Sequence, residues 1–419
     1  MAKKPRLPES LNICLTSHRF PILSRATDLG FLWPIARGLA REGHKVTVLA
    51  ASSPLKKPEV FRDGVRAYFL HEGEKNLSHM NFQMAVRQRF SQLHKEEPFH
   101  IVHSIDKSAF RIATRKEDLK VAVAYDVEAT QMSQLFAIRA MKQDTLGSML
   151  TTALAVSYKF LTTYYGGDRR LLSTADGIFV TNPEQRIILE RYYLYPDFHT
   201  YTVPYGIELG DLSPKEKSLE LRKKLGIPEN AHIAATITDM TEVQEVLPLL
   251  RAFEKVAIKK PNSYLLLVGN GPKFKKIEYE VLNLALGNRV IMPGAVPANE
   301  LEDYILLGDV FVNMSSRTTG FEPSTLEAMA QKKVVLGSEV SPIANIIEDG
   351  RDGFLLRPAD VDSMSNLLVE IFSGTLPADE IGDRARQKVV DLFDTSKMVQ
   401  ATLDAYRKIL INSGAYKKQ

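Results

Sequence analysis

The chain has 419 residues, of which 44% are hydrophobic and 25% are charged, and its formal net charge at pH 7 is +4. This length allows two domains with a core each, and the ordinary composition argues against a disordered or low-complexity protein. No apolar run reaches the roughly 18 residues needed to cross a bilayer, no secretory signal is evident, and the single cysteine excludes an internal disulfide. We therefore expect a cytoplasmic, two-domain globular protein.

The first half of the chain alternates short aliphatic runs with helical patterns, which predicts a parallel sheet covered on both faces. Cys14 lies in the first of these runs and is expected to be an ordinary buried strand residue. His44 falls between a helical segment and a strand, where its charge would stabilise the helix C-terminus. Strands are expected at residues 11–16, 46–50, 67–70, 101–104, 121–124, 178–180 and 200–203.

The first half is also the basic half of the chain. Residues 1–200 carry 28 Lys and Arg against 20 Asp and Glu, whereas residues 201–419 carry 26 against 30. Scattered solvated charge is the favoured interpretation. The alternatives are peripheral contact with an anionic membrane surface through the basic N-terminal domain, or attraction of an anionic acceptor. The short basic clusters lack interleaved aromatic residues, so nucleic-acid binding is not expected.

A helical stripe of apolar residues follows in residues 145–158. Core packing is its favoured interpretation, and a helix that dips into a membrane interface is the alternative. The stripe consists of Leu146, Met149, Leu150, Ala153 and Leu154.

The second half repeats the alternation after a polar linker at residues 208–214, which contains Gly and Pro. The fold class is therefore α/β, with two doubly wound Rossmann-like domains that face each other across a cleft. The N-terminal domain spans residues 1–207 and the C-terminal domain residues 208–395. Ligands of such sheets bind beyond the carboxyl ends of the strands. Strands are expected at residues 231–237, 264–268, 290–292, 310–314, 334–336 and 354–356.

The sequence Gly269-Asn270-Gly271-Pro272 has two glycines in a pattern that resembles part of a dinucleotide-binding loop. The third glycine is missing, and no acidic residue on a following strand is well placed to hold a ribose. A tight structural turn is therefore the favoured interpretation.

The junction between the run at 310–314 and the helix start at Pro323 is the most informative segment. The first N–H groups of a helix lack intrahelical partners and lie at the positive end of its dipole, so they can hold a phosphate. Proline suits the first helical turn. Glu327 lies one turn further on, and a carboxylate there suits the hydroxyls of a ribose. This chemistry indicates a nucleotide diphosphate.

The segment 319–330 resembles the Glu-x7-Glu signature of the retaining glycosyltransferases of family 4, and Glu327 matches its second glutamate. The resemblance implies a GT-B fold and no bound cofactor. It implies instead a nucleotide diphosphate sugar as co-substrate, and it leaves open whether the nucleotide is UDP or GDP. It also implies a glycan or lipid-linked acceptor in cell-surface polysaccharide or glycolipid assembly, and a C-terminal helix, residues 396–419, that returns to the N-terminal domain. Further matching pieces occur in the family's order at residues 175–181, 203–208, 267–272, 289–294, 308–312 and 347–354.

Three residues are candidates for individual roles. Asp126 is the candidate to orient or deprotonate the acceptor hydroxyl, and a cap on the following helix is the equally favoured alternative. Arg317 is the candidate to bind the diphosphate in place of the family's cations, with a solvated surface charge as the alternative, and Glu322 is the candidate to contact the donor sugar in place of the lost signature glutamate. No clustered acidic motif indicates a metal site. The acceptor-side loop contains Arg25, Ala26 and Thr27. The expected donor-binding residues are Thr319, Gly320, Phe321, Ser324, Thr325, Leu326 and Glu327.

Several positions depart from the family pattern, and they concentrate on the donor site. Asp239 and Gln244 stand where the family usually has an Arg and a Lys, and Thr319 replaces the first signature glutamate. Two main hypotheses remain: a glycosyltransferase with an altered diphosphate grip, or a catalytically silent relative that serves as a binding or regulatory module. A phosphorylase or nucleotide-sugar epimerase of GT-B fold is a third, weaker alternative.

Overall fold

The computed structural model divides the chain into two compact units, each an α/β domain with its own sheet. Unit 1 comprises Met1–Gly206 together with Thr395–Gln419, and unit 2 comprises Ile207–Asp394. The structure describes residues 7–18, 32–51, 57–70, 79–127, 154, 157–158, 167–209, 214, 216–297, 299–315, 323–339, 343–357 and 359–414.

The sheet of unit 1 contains β1 (Asn12–Ser17), β2 (Lys45–Ala50), β3 (Glu59–Arg62), β4 (Val65–Phe69), β5 (Ile101–Ser104), β6 (Ala122–Asp126), β7 (Gly177–Val180) and β8 (Thr200–Thr202). The order of these described strands is β3-β4-β2-β1-β5-β6-β7-β8. Neighbours are parallel except β3 and β4, which are antiparallel. Since β1 lies between β2 and β5, the direction of winding reverses there, which is where ligands of such sheets bind.

The helices described in the first part of unit 1 are α1 (Leu32–Arg41), α2 (His79–Glu96), α3 (Phe110–Ala113), α4 (Lys116–Leu119), α5 (Gly167–Leu172) and α6 (Pro183–Tyr193). Side chains of α2, α3 and α6 share one apolar core with the sheet, and Phe82, Phe90 and Tyr125 are the largest of its fully buried members. Asn182 is the N-cap of helix α6, because its side chain accepts a hydrogen bond from the Gln185 N–H in the first turn.

All seven strands predicted for the first half are confirmed, with bounds that agree within two residues. Cys14 is a fully buried strand residue as predicted, and burial raises the pKa of its thiol. The sequence analysis missed β3, an edge strand that is exposed along most of its length. It pairs with β4 through a turn in which Asp63 and Gly64 both have positive φ, the pattern that a two-residue hairpin requires.

The prediction for His44 is wrong. The His44 Nδ1 atom accepts a hydrogen bond of 3.1 Å from the Leu11 N–H, which requires that nitrogen to be unprotonated. Burial, with a contribution from the Arg407 charge, lowers the pKa of His44, so the ring is neutral near pH 7. His44 therefore links α1 to β1 as a hydrogen-bond acceptor instead of stabilising a helix terminus by charge.

The core-packing interpretation of residues 145–158 is wrong at Leu154, whose side chain is 66% exposed. Tyr158, in the same segment, is 71% exposed. The other members of the predicted stripe lie outside the described residues. In the part of the chain that the structure describes, no helix has both the length and the apolarity that a membrane crossing requires.

Three histidines at the amino-terminal end of the unit 1 sheet share one hydrogen-bonding arrangement. The other two rings resemble His44 in accepting a backbone N–H at Nδ1. His94 accepts from the Phe99 N–H at 3.0 Å, and His100 accepts from the Asn12 N–H at 2.7 Å. Burial is the main cause that lowers the pKa of each of the three rings. Each ring must stay neutral to keep its hydrogen bond.

We therefore expect acid to destabilise unit 1. The folded-state pKa values lie below the usual histidine value of about 6.5, so the unfolded chain takes up protons first as the pH falls below it. Stability is then full above about pH 6.5 and declines below it, by roughly 1–2 kcal/mol at pH 5 after allowance for the partial exposure of the rings. Urea unfolding at pH 7.5 and pH 5 measures the difference. His44→Asn combined with His100→Asn, which keeps an acceptor without a titrating group, should reduce it, whereas an unchanged difference would contradict the assignment.

The sheet of unit 2 contains β9 (His232–Ile237), β10 (Ser263–Val268), β11 (Val290–Gly294), β12 (Val310–Asn313), β13 (Val334–Ser338) and β14 (Phe354–Leu356). The order of these described strands is β11-β10-β9-β12-β13-β14, and all neighbours are parallel. All six strands predicted for the second half are confirmed within two residues. The direction of winding reverses between β9 and β12, so the loops that follow these two strands flank the expected ligand position of unit 2.

The described helices of unit 2 are α7 (Leu219–Lys224), α8 (Val243–Lys259), α9 (Phe274–Asn283), α10 (Leu301–Leu307), α11 (Pro323–Ala330), α12 (Val361–Ser373) and α13 (Ala378–Leu392). Helices α8, α9, α12 and α13 contribute side chains to one continuous core with the sheet. Helix α13 also lies against the turn that precedes β13, since a Cβ added at Gly382 would fall 2.1 Å from the Lys332 carbonyl oxygen.

The last described helix, α14 (Thr395–Asn412), follows unit 2 in the sequence but belongs to unit 1. Its side chains fit against glycines of that unit. A Cβ added at Gly38 would lie 2.3 Å from the Val399 Cγ2 atom, and one added at Gly177 would lie 2.4 Å from the Ile409 Cδ1 atom. The C-terminal helix is thus an integral layer of the first α/β unit.

Candidate active site

The strand-to-helix junction of unit 2 is built from β12 and α11. Helix α11 starts at Pro323 and is buried along its whole length, with Glu327 only 3% exposed. The Asn313 side chain connects the two elements: its Nδ2–H group donates to Thr325 Oγ1 at 2.9 Å, and its Oδ1 accepts from the Ser315 N–H at 3.2 Å. The first turn of α11 is therefore fixed directly beyond the carboxyl end of β12.

A second loop of unit 2, residues 238–242, follows β9 on the other side of the winding reversal. It is held by the turn at Gly269 and Gly271: a Cβ on either glycine would lie 1.8 Å from a carbonyl oxygen of this loop, that of Thr238 or Asp239 respectively. Gly269 also has a φ of +129°, which residues with a side chain rarely adopt. The two glycines thus allow direct contact between two backbone segments, which confirms the prediction of a structural turn.

The loop after β9 and the start of α8 carry several polar and acidic side chains. The Asp239 Oδ1 atom accepts hydrogen bonds from the Thr241 N–H and the Thr241 hydroxyl, at 3.2 and 3.0 Å. Glu242 precedes α8, and Glu245 lies in its first turn. Gln244 is exposed at the start of the same helix. The loop is thus organised around Asp239 and offers polar and acidic groups.

In unit 1, Asp126 is the last residue of β6, and its side chain is 6% exposed. Its Oδ2 atom lies 3.5 Å from the Nε2 atom of His103 on the neighbouring strand β5. That separation brings the pair into electrostatic contact but does not form a hydrogen bond, and within the described residues Nε2 has no hydrogen-bond partner. On its other side, His103 Nδ1 lies 2.7 Å from the hydroxyl of Tyr406 on α14.

The sequence analysis did not select His103 or Tyr406. His103 stands in a short, otherwise apolar run that predicts a buried strand, and Tyr406 is separated from it by 303 positions. A histidine inside a buried run was a signal in itself, because a buried polar ring needs hydrogen-bond partners. The identity of those partners was not readable from the sequence.

The ends of β1 and β5 in unit 1 are connected by a second polar cluster, centred on Asp106. Its carboxylate accepts from the His18 N–H at 2.7 Å and from the Ser108 N–H at 2.8 Å. The Thr16 hydroxyl donates to Ser104 Oγ at 2.9 Å, and the Ser104 hydroxyl donates to the Asp106 carbonyl oxygen at 2.6 Å. This cluster fixes the loops beside the winding reversal of unit 1.

The remaining site predictions divide into two groups. Ser324, Thr325, Leu326 and Glu327 all lie in α11 and are buried, so the structure brings these four donor-binding candidates together. Within the described residues, no group of three or more His, Cys, Asp or Glu side chains is arranged to hold a metal ion. The candidates that lie outside the described residues are Arg25, Ala26, Thr27, Arg317, Thr319, Gly320, Phe321 and Glu322.

Comparison with known proteins gives independent evidence of the family to which both units belong. Residues 31–206 match the family model described as "Glycosyl transferase 4-like domain", and residues 217–388 match the one described as "Glycosyl transferases group 1". The N-acetyl-alpha-D-glucosaminyl L-malate synthase of Bacillus anthracis is 28% identical over 196 residues, which is 47% of this chain and only 50% of that protein. The UDP-Gal:alpha-D-GlcNAc-diphosphoundecaprenol alpha-1,3-galactosyltransferase of Escherichia coli is 23% identical over 357 residues, or 84% of this chain and 86% of that protein.

The fold has a solved counterpart in sucrose-phosphate synthase from Thermosynechococcus elongatus, with a TM-score of 0.75 and 20% identity over 95% of this chain and 98% of that one. The two α/β units therefore form a GT-B fold. Because the two family matches together span most of both units, the chain belongs to the GT-B glycosyltransferases of the family 4 type.

Proposed function

We propose that the protein transfers a sugar, with retention of the anomeric configuration, from a nucleotide diphosphate sugar to an acceptor hydroxyl. The observation that carries this proposal is the β12–α11 junction, where a hydrogen bond from Asn313 to Thr325 fixes the first turn of a buried helix beside the end of a strand that flanks the winding reversal. Free N–H groups at such a helix start suit a diphosphate, and Glu327 four positions into the helix suits the hydroxyls of the ribose. No metal or bound cofactor enters this proposal.

UDP is the first nucleotide to test, and GDP the second. The Escherichia coli relative is named for UDP-Gal as its donor, and it aligns with 84% of this chain. The acceptor that we propose is a glycan or lipid-linked hydroxyl, because the same relative is named for a diphosphoundecaprenol-linked acceptor.

A lipid-linked acceptor would bring unit 1 to a cytoplasmic membrane surface, and we propose peripheral contact there. The side chains of Leu154 and Tyr158 are exposed in a segment of the basic half of the chain. Exposed apolar side chains together with basic residues favour an anionic interface.

A catalytically silent relative, serving as a binding or regulatory module, is the second candidate. The loop after β9 favours this candidate. Asp239, which accepts hydrogen bonds from Thr241, and the exposed Gln244 occupy the two positions where the family usually has diphosphate-binding cations. Without those cations, the departing diphosphate would lose much of the electrostatic stabilisation on which such transfers depend.

Calorimetric titration of the whole protein with UDP, GDP and their common sugar conjugates separates the two candidates. A working donor site should bind at least one of them, and Glu327→Gln, which keeps the side-chain volume, should weaken that binding by about 10-fold or more through the loss of charge-assisted hydrogen bonds. Glu348→Gln, at a carboxylate that is 55% exposed in the same unit, is the matched control and should bind as the unmodified protein does. Absence of binding by folded protein would make the silent relative the better account.

A further inference from the structure

The C-terminal helix α14 places a tyrosine beside the candidate acceptor residue of unit 1. Tyr406 is completely buried, and its hydroxyl lies 2.7 Å from His103 Nδ1. The His103 ring is itself held in position, because it stacks on Phe179 at a centroid distance of 4.5 Å and meets the Tyr406 ring edge-on. Its Nε2 atom is thereby aimed at the Asp126 carboxylate on the next strand.

The hydroxyl of Tyr406 stays protonated throughout the accessible pH range, so it is able to donate a hydrogen bond. Burial, and then the charge of Asp126, raises the pKa of Tyr406 well above its usual value. A protonated hydroxyl needs an acceptor, and the described residues offer it the Nδ1 atom of His103. When Nδ1 accepts, the proton of a neutral imidazole must be on Nε2.

We propose that Tyr406, acting through His103, is a positioning residue for Asp126. In the substrate complex the Nε2–H group of His103 donates to Oδ2 of Asp126 and holds that oxygen, so that Oδ1 is the one presented to the acceptor hydroxyl. This assignment rests on the proposed transfer function, because it gives Asp126 the role of accepting a hydrogen bond from the acceptor.

The present separation of 3.5 Å between His103 Nε2 and Asp126 Oδ2 agrees with this role. Hydrogen bonds of catalytic groups are often long without substrate and shorten when the substrate is bound. His103 Nε2 is also a buried polar atom that lacks a hydrogen bond within the described residues, and the Asp126 carboxylate lies beside it. The ring therefore completes its hydrogen bonding when Asp126 moves slightly toward it.

The first test is spectroscopic and needs no substrate. In protein labelled with ¹⁵N-histidine, long-range ¹H–¹⁵N correlation spectra report which nitrogen of each ring carries a proton, and His103→Gln identifies the His103 signals. We expect a neutral Nε2–H tautomer in the unmodified protein and a changed protonation pattern in Tyr406→Phe, which removes only the hydroxyl. The control is Tyr201→Phe, which removes the hydroxyl of another tyrosine that contacts Phe179. It should leave the protonation pattern of His103 unchanged. A proton on Nδ1 in the unmodified protein would overturn the assignment.

The second test is kinetic and uses the UDP-sugar that binds most tightly, with water as the acceptor and release of UDP as the readout. Asp126→Asn should lower kcat by about 100-fold, in keeping with loss of a group that accepts the proton of the attacking hydroxyl. Tyr406→Phe should lower kcat by about 5-fold, the equivalent of one neutral hydrogen bond, with the KM for the donor unchanged. An unchanged kcat in Tyr406→Phe would overturn the positioning role.

The proposed function and the role of Tyr406 can be contradicted independently of each other. If no nucleotide binds, the proposed function fails while the spectra still decide the state of His103. If a nucleotide binds but the spectra show Nδ1 protonated, the transfer function stands and the role of Tyr406 is removed.

Discussion

Gly269→Ala is expected to lower the free energy of unfolding of unit 2 by about 3 kcal/mol or more and to abolish nucleotide binding. The new Cβ would lie 1.8 Å from the Thr238 carbonyl oxygen, so one of two backbone segments must move. The residue must also keep a φ of +129°. The displaced segment is the loop after β9, which flanks the proposed donor site, so stability and binding should be lost together. Urea unfolding followed by circular dichroism, with titration of UDP, measures both.

Two further variants separate the causes of that loss. Gly271→Ala produces the same 1.8 Å collision, in this case with the Asp239 carbonyl oxygen, at a residue without positive φ. Gly226→Ala changes a residue with a φ of +69° that has nothing within 4 Å of the added Cβ, and it should lower stability by only about 1–2 kcal/mol. If all three variants were equally stable, backbone contact would not be the reason for the glycines.

Arg317→Ala is expected to weaken binding of UDP or a UDP-sugar by about 10- to 100-fold, the equivalent of one or two charge-assisted hydrogen bonds. Since the loop after β9 offers Asp239 and Gln244 in place of cations, we expect Arg317 to supply the positive charge for the diphosphate. Arg317→Lys should be intermediate, because it keeps the charge but not the planar pair of donors. Calorimetric titration gives the affinities.

The control for Arg317→Ala is Arg351→Ala. Arg351 belongs to the same unit, is 64% exposed and pairs with Glu348 three positions earlier, so its removal should leave nucleotide affinity unchanged. Equal affinities for the Arg317→Ala variant and the unmodified protein would mean that Arg317 does not replace the family's cations, and the silent relative would gain support.

The strands of both sheets were predictable because a parallel sheet covered on both faces requires short, continuous apolar runs. The run at β12 and the proline that starts α11 also predicted the strand-to-helix junction that we propose as the donor site. The one described strand that was missed, β3, is mostly exposed, so it lacks that apolar signal. Its signal was the Asp63-Gly64 turn, which is typical of a two-residue hairpin.

The candidate site was predictable only in part. Ser324 and Thr325 are found at the start of a buried helix, as the local pattern indicated. The charge state of His44 was not predictable, since it depends on a hydrogen bond from Leu11, more than 30 positions away. Likewise, the exposure of Leu154 contradicts its place in an apolar stripe, because periodicity shows which residues share a helix face but not what that face contacts.

Local periodicity and short ordered motifs were enough to predict the two α/β units, the position of nearly every described strand, the helix start at Pro323 and the family. Neither signal could predict that two glycines allow backbone contact with the loop after β9, or that Asp126 lies near His103 and Tyr406. Such contacts join residues that are far apart in the chain, 303 positions for Tyr406 and His103, and they arise only when α14 packs on the sheet of unit 1.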